Sequence, residues 1–261
     1  MNSVQITSKI KIAYITIGDL ECDAPLLLFL HEGMGSISMF RDFPKRLCEA
    51  TGFPGLVFDR YGYGHSTALQ EDRTIDYLET EAKINLPLLV EHLNLNNRKL
   101  IIVGHSDGAS IALIYAGLFP KNVIAVVSIA AHVFTEELSI RNVKALEERF
   151  YSNDEFRAKL ERYHFEHTES TLIAFTRTIT SESFKNWNIE NYLSSIEAPV
   201  LVIQGTNDEY GTLAQVESIM NHASHPQNKK IILEDYGHSP HLENKEGVVK
   251  HISEFTKAII S

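Results

Sequence analysis

Cysteine is almost absent from this chain of 261 residues, with Cys22 and Cys48 the only two. Two thiols make no disulfide framework, and neither lies in a CxxC or a metal-ligand spacing, which excludes a disulfide-stapled scaffold and a zinc module. Clusters of positive charge are missing as well. The formal net charge is -10 and no Lys/Arg run occurs, so neither nucleic acid nor an anionic membrane surface is an expected partner. Long apolar runs are also lacking. The longest, such as Leu26 to Leu30, fall far short of the ~20 residues that span a bilayer. The N-terminal stretch MNSVQITSKIKIAYITIG alternates polar and apolar residues and has no continuous apolar segment of the secretory type. No internal repeat, low-complexity tract or flexible linker is visible. The expectation is a cytoplasmic protein, monomer or homodimer, acting on a small molecule.

What is present is apolar content of 44%, enough in a chain of this length for one α/β core carrying a subdomain. Short buried runs alternate with helical spacing. Leu26 to Leu30, Leu56 to Phe58, Leu100 to Val103, Val123 to Ala130, Pro199 to Gln204 and Lys229 to Leu233 read as strands of a parallel sheet covered on both faces. Val4 to Thr7 and Lys9 to Ile17 alternate as antiparallel edge strands do. Helices are expected up to Ala50, over Asp76 to Leu95 with a kink at Pro87, over Ala109 to Phe119, over Leu213 to His222 and from about Lys245 to Ile260. From His132 to about Ile196 the texture changes. TEELSIRNVKALEERFY, NDEFRAKLERYH and ESTLIAFTRTIT carry helical spacing with no strand between them. The pattern predicts an α/β fold, a mostly parallel doubly wound sheet, with its core in 1–132 and 197–261 and a helical cap inserted at 133–196.

The stretch LIIVGHSDGAS, Leu100 to Ser110, organises the rest. A buried strand runs into Gly104-His105-Ser106-Asp107-Gly108 and then directly into a helix. A serine held between a strand and a helix, with glycine two residues to either side, matches the GxSxG elbow, a tight turn that strains the serine backbone and turns its oxygen outward. Side chains at Gly104 or Gly108 would strike the neighbouring strand or helix, while the new helix offers N–H groups and a positive dipole end to a developing oxyanion. A serine hydroxyl needs a base within reach and a carboxylate to hold that base. Asp208, in the loop after Pro199 to Gln204, and His238, in the loop after Lys229 to Leu233, supply them in the order Ser106, Asp208, His238. Each follows a buried strand, and in a parallel sheet such ends share one edge. A metal reading of His238, His241 and Glu243 has no further cluster to support it, and no metal or cofactor is expected.

Together, the GHSDG elbow, the GTND loop after PVLVIQ, the GHS around position 238 and the strand-loop HEGMGS resemble the α/β-hydrolase fold family over nearly the whole chain. The FDRYGYG loop is similar to that of its small cytoplasmic members, which include esterases, carbon-carbon bond hydrolases and menaquinone-pathway enzymes. The resemblance implies Ser106 as nucleophile, Asp208 rather than Glu209 as acid, and His238 rather than His241, His222 or His225 as base. It implies an oxyanion hole from the N–H groups of Asp107 and Gly33, with Met34 as alternative donor. His31 is expected to hold its loop. Expected substrate contacts are Met34, His105, Phe134 and Trp187, with packing beneath the turn the competing role for His105. The family commonly has His-Gly where this chain has His31-Glu32, so a carboxylate lies beside an anion-stabilising loop. We expect Arg60 to neutralise it.

The function these residues point to is hydrolysis of a small carboxylic ester or related acyl compound through an acyl-enzyme, without cofactor. Two alternatives remain at this point. One is cleavage of a carbon-carbon bond in a dienone-type substrate by the same triad. The other is a ligand sensor built on the same scaffold. An aminopeptidase is disfavoured, because HEGMGS lacks the HGGPG loop of that branch.

Overall fold

In a computed structural model that describes residues 1–260, the apolar runs form one mixed sheet. Its strands are β1 (Asn2–Gln5), β2 (Lys11–Ile17), β3 (Leu26–Leu30), β4 (Gly55–Phe58), β5 (Leu100–His105), β6 (Val123–Ile129), β7 (Val200–Gly205) and β8 (Lys229–Leu233). They lie in the order β1-β2-β4-β3-β5-β6-β7-β8. The pairings of β1 with β2 and of β2 with β4 are antiparallel, and all later ones are parallel. Because side chains alternate across a strand, β3 and β5 feed two cores. Leu26, Leu28, Leu30, Leu100 and Ile102 face one, and Leu27, Phe29, Ile101 and Val103 face the other.

Helix α1 (Phe43–Thr51) covers the second core. On the first face the stretch expected as one kinked helix is broken into α2 (Tyr77–Thr80), a single π turn (Glu81–Asn85) and α3 (Leu86–His92). Pro87 has no N–H to give and its ring crowds the preceding turn, so the hydrogen-bond ladder widens by one residue just ahead of it. Helix α4 (Asp107–Leu118) is apolar all round and buried over Asp107 to Ala116, as befits a helix packed between a sheet and other helices.

Between β6 and β7 the chain is helical, with α5 (Glu137–Ser152), α6 (Asp154–His164), α7 (Thr168–Ile179) and α8 (Glu190–Leu193). Asn153 caps α6 by accepting from the Phe156 N–H at 2.9 Å. The chain closes with α9 (Leu213–His222) on the first face, the short α10 (Pro240–Glu243), and α11 (Lys245–Ile260) beside α1. Among the described residues no helix is long and apolar enough to cross a membrane.

The helical insert is fastened to the core at the end of α6. His164, fully buried, accepts the Gly64 N–H at Nδ1 (3.1 Å) and therefore donates from Nε2 to the Met34 carbonyl (3.1 Å). Thr171 adds a hydrogen bond to the Gly62 carbonyl at 2.8 Å. Burial pushes the His164 imidazole down to about 4. In the unfolded chain the same ring takes its proton near 6.5, so between these values the unfolded state binds more protons and stability falls as the pH is lowered. Denaturant unfolding at pH 4.5 is expected to show a loss of about 2 to 3 kcal/mol from this group relative to pH 7. His164→Gln is expected to flatten that dependence; an unchanged slope between pH 4 and 6.5 would refute the account.

Candidate active site

The elbow is built from main-chain contacts. Ser106, between β5 and α4, has φ 52° and ψ -120°, a region that side chains other than glycine rarely occupy, and its N–H is held by the Ile129 carbonyl at 2.9 Å. A Cβ on Gly104 would lie 2.3 Å from the Gly108 oxygen, and one on Gly108 would lie 2.1 Å from the Leu30 oxygen. Strand, turn and helix therefore approach at a distance that no side chain permits. The Asp107 N–H, in the first turn of α4, has no partner among the described residues.

The loops after β7 and β8 bring Asp208 and His238 together. His238 Nδ1 lies 2.8 Å and 2.9 Å from the two Asp208 carboxylate oxygens, so Nδ1 carries the hydrogen and Nε2 keeps its lone pair. Asp208 is itself fixed by the Tyr210 N–H (2.8 Å) and the Gln204 side-chain amide (2.7 Å). Burial disfavours the charged imidazole. The hydrogen bond and charge of Asp208, with help from Glu209 and Glu32, outweigh it and hold His238 above the usual histidine range. Burial likewise opposes ionisation of Asp208, and His238 overcomes it, leaving that carboxyl below its ordinary range.

The backbone around the base is clamped as well. The N–H groups of Gly237 and Ser239 donate to Glu243 at 3.0 and 3.3 Å, and the His238 N–H donates to Glu209 at 3.2 Å. His105 Nε2 donates to the His238 carbonyl at 2.8 Å. Glu209, the weighed alternative to Asp208, thus accepts from the main chain of residue 238 and not from its imidazole. The His238 ring lies 5.0 Å from that of His105, the residue before Ser106, and 5.9 Å from that of His132. Ser106 Oγ has no hydrogen-bond partner among the described residues, His238 included. Triad hydrogen bonds are often loose until substrate tightens them.

Arg60 does not do what was expected of it. Its guanidinium, 1% exposed, donates to the Glu32 main-chain carbonyl (2.8 Å) and lies 3.3 Å from the Asp107 carboxylate, which also accepts the Tyr77 hydroxyl at 2.9 Å. The Glu32 carboxylate turns the other way, to His105 Nδ1 at 3.4 Å. Burial works against its charge, but His105 and then His31 hold the carboxyl well below the usual range. Sequence could not foresee this, because Asp107 is the acid that the elbow places deeper. His31 holds the loop, accepting the Arg60 N–H at 3.0 Å and donating to the Glu32 carbonyl at 2.8 Å. With Gly35 N–H also on that carbonyl at 3.0 Å, the N–H groups of Gly33 and Met34 are left without a partner among the described residues. The Phe175 ring lies against Gly33, where a Cβ would come within 2.4 Å of it.

Ser106 opens on a cavity of about 40 Å³, room for a few water molecules, roofed by the insert. Leu78, Val143, Phe175, Ile179, Phe184, Trp187 and Phe134 line its apolar side, and Asp107, Ser110, His132, Thr135, Ser139 and Tyr210 the remainder. Phe134 and Trp187 thus stand where substrate contacts were expected. Met34 and His105 do not line it. Met34 is buried with its carbonyl on His164, and His105 lies beneath the turn between Glu32 and the His238 carbonyl. His132 was missed. Its position just past β6, on the same sheet edge as the triad candidates, was the available signal. His241 packs against Phe40 and Phe43, and Glu243 is engaged by backbone N–H groups.

A mostly parallel sheet with helices on both faces, an elbow serine after the central strand and a carboxylate-histidine pair on the next loops define the α/β hydrolase architecture. The family model described as alpha/beta hydrolase fold matches residues 25–186, and the chain belongs to that family of hydrolases. Among solved structures it is similar to a thermophilic esterase from Thermogutta terrifontis, at 19% identity over 100% of both chains with a TM-score of 0.74. It is similar to the enol-lactonase from Burkholderia xenovorans, at 18% identity over 98% of this chain and 100% of that one, TM-score 0.74. A structure from work on carboxylesterases of Nitrososphaera gargenis matches at 18% identity over 99% of each chain, TM-score 0.77.

Removing Arg60 strands the buried Asp107 carboxylate. Arg60→Met, which keeps the side-chain volume, is expected to lower the unfolding free energy by about 3 to 5 kcal/mol. A denaturant midpoint within error of the parent protein would show that this ion pair does not hold the elbow to its neighbouring loop.

Proposed function

We propose that the chain hydrolyses a small carboxylic ester through an acyl-enzyme on Ser106. The observation that carries this is the His238–Asp208 pair, which leaves a lone pair on Nε2, in a loop at the sheet edge that also carries the strained elbow serine. His238 takes the Ser106 proton as the oxygen attacks the carbonyl, and Asp208 steadies the imidazolium. The oxyanion forms toward the N–H groups of Asp107 and Gly33. His238 returns the proton to the leaving alcohol, then activates water to release the acid.

The cavity favours this reading over carbon-carbon cleavage. A ring-fission dienoate brings a carboxylate that needs a cation, and the residues lining the cavity include no lysine or arginine, while the guanidinium of Arg60 behind it is engaged by Asp107 and the Glu32 main chain. The sensor reading leaves a strained serine and an oriented base without a use.

A fluorophosphonate is expected to label the protein and Ser106→Ala to abolish labelling, with loss of ester turnover by about a thousandfold or more. The base works only when neutral. Since His238 titrates above the usual 6.5, kcat/KM is expected to fall as pH is lowered through a midpoint above that value. An unlabelled wild-type protein, inert toward an ester panel, would leave the sensor reading standing.

A further inference from the structure

If the chain is a serine esterase, the groups beside Ser106 also describe its substrate. Two of them hold hydrogen-bond acceptors that no protein group fills. His132 Nε2 lies 3.0 Å from the Tyr210 carbonyl, which can only accept, so Nε2 carries the hydrogen. Burial, and then the charge of His238, keep this imidazole below the usual histidine range, so it stays neutral and Nδ1 bears a lone pair. Nδ1 has no partner among the described residues. Asp107 is the second. Arg60 and Tyr77 both engage Oδ2, and Oδ1 has no donor among the described residues. Both residues line the cavity that contains Ser106. The rest of the wall is largely apolar, and neither acceptor is sealed off, so each is open to a donor that enters the cavity. The cavity is narrow as it stands, which favours a short acyl chain over a long one.

We propose that the substrate is a short, uncharged ester whose acyl part carries a hydroxyl close to the scissile carbonyl, and that His132 Nδ1 receives this hydroxyl. His132 is then the specificity-determining residue of the site. It draws a hydrogen-bond donor into place, while a cavity lined by no lysine or arginine gives no partner to acyl groups that end in a carboxylate.

The test compares kcat/KM for methyl butanoate with methyl 3-hydroxybutanoate, methyl propanoate with methyl lactate, and both pairs with the monomethyl ester of succinate. Each value is divided by the rate of alkaline hydrolysis, which removes intrinsic reactivity. At least one hydroxylated ester is expected to exceed its unsubstituted partner tenfold or more, with the succinate ester poorest. His132→Phe, which keeps a ring but no acceptor, is expected to bring that ratio to within about twofold of one, and His132→Asn to restore part of it. Equal normalised rates for both pairs in a wild-type protein that turns over esters would overturn the proposal whether or not the variants fold. So would a preference untouched in folded His132→Phe. A wild-type protein that neither labels with fluorophosphonate nor turns over any ester fails the serine esterase reading itself and takes this inference with it.

Discussion

One guanidinium, closed off from solvent, ties together the two loops on which the candidate site depends. Arg60 reaches the main chain of the loop after β3 and the side chain of the first residue of α4, and packs its cationic plane 4.6 Å from the Tyr63 ring centre. Those two segments are the ones whose free N–H groups would receive an oxyanion. An acid at position 107 would ordinarily oppose charge developing beside it. Pairing to Arg60 and to the Tyr77 hydroxyl turns that liability into a fastening. The second unusual acid, Glu32, is answered separately by His105, so each carboxylate near the oxyanion loop has its own partner and neither is shared.

The histidines show how environment alone sorts one residue type into different duties. His31, His164 and His241 are buried and His132 is half-buried, and all four are held below the usual range, chiefly by desolvation. His238, half-buried, moves upward, because a carboxylate accepts from its Nδ1. The difference between a packing imidazole and a base is thus one hydrogen-bond acceptor of the right charge. The clamps on its main chain from Glu209, Glu243 and His105 leave the ring little freedom to wander from the acid.

Much of this was legible in the chain. Continuous apolar runs such as Leu26 to Leu30 gave the buried strands because period and length both pointed to a doubly covered sheet. The glycine spacing around Ser106 gave the elbow because steric exclusion leaves few alternatives. What eluded sequence were features decided by three-dimensional proximity between polar groups. Arg60 had two acids within plausible reach, and only the folded geometry chose Asp107 over Glu32. His132 carried no motif, so nothing local distinguished it from the packing histidines. The π turn ahead of Pro87 was read as a kink, since both relieve the same missing hydrogen bond and differ only in how the next turn packs. His105 and Met34 lay near the chemistry in sequence and yet face away from the cavity.

The close approach at Gly108 has a wider consequence. Its Cα rests against the carbonyls of Leu30 and His31, the last residues before the loop that carries Gly33. The separation between the elbow and that loop is therefore set by bare main-chain atoms meeting. The apolar residues of the cavity wall contributed by the helical insert, such as Val143, Ile179 and Phe184, take no part in that contact, whereas Asp107 lies in one of the two segments it joins and Phe175 rests against Gly33 in the other. Most of the wall can thus be remodelled while the main-chain spacing stays fixed.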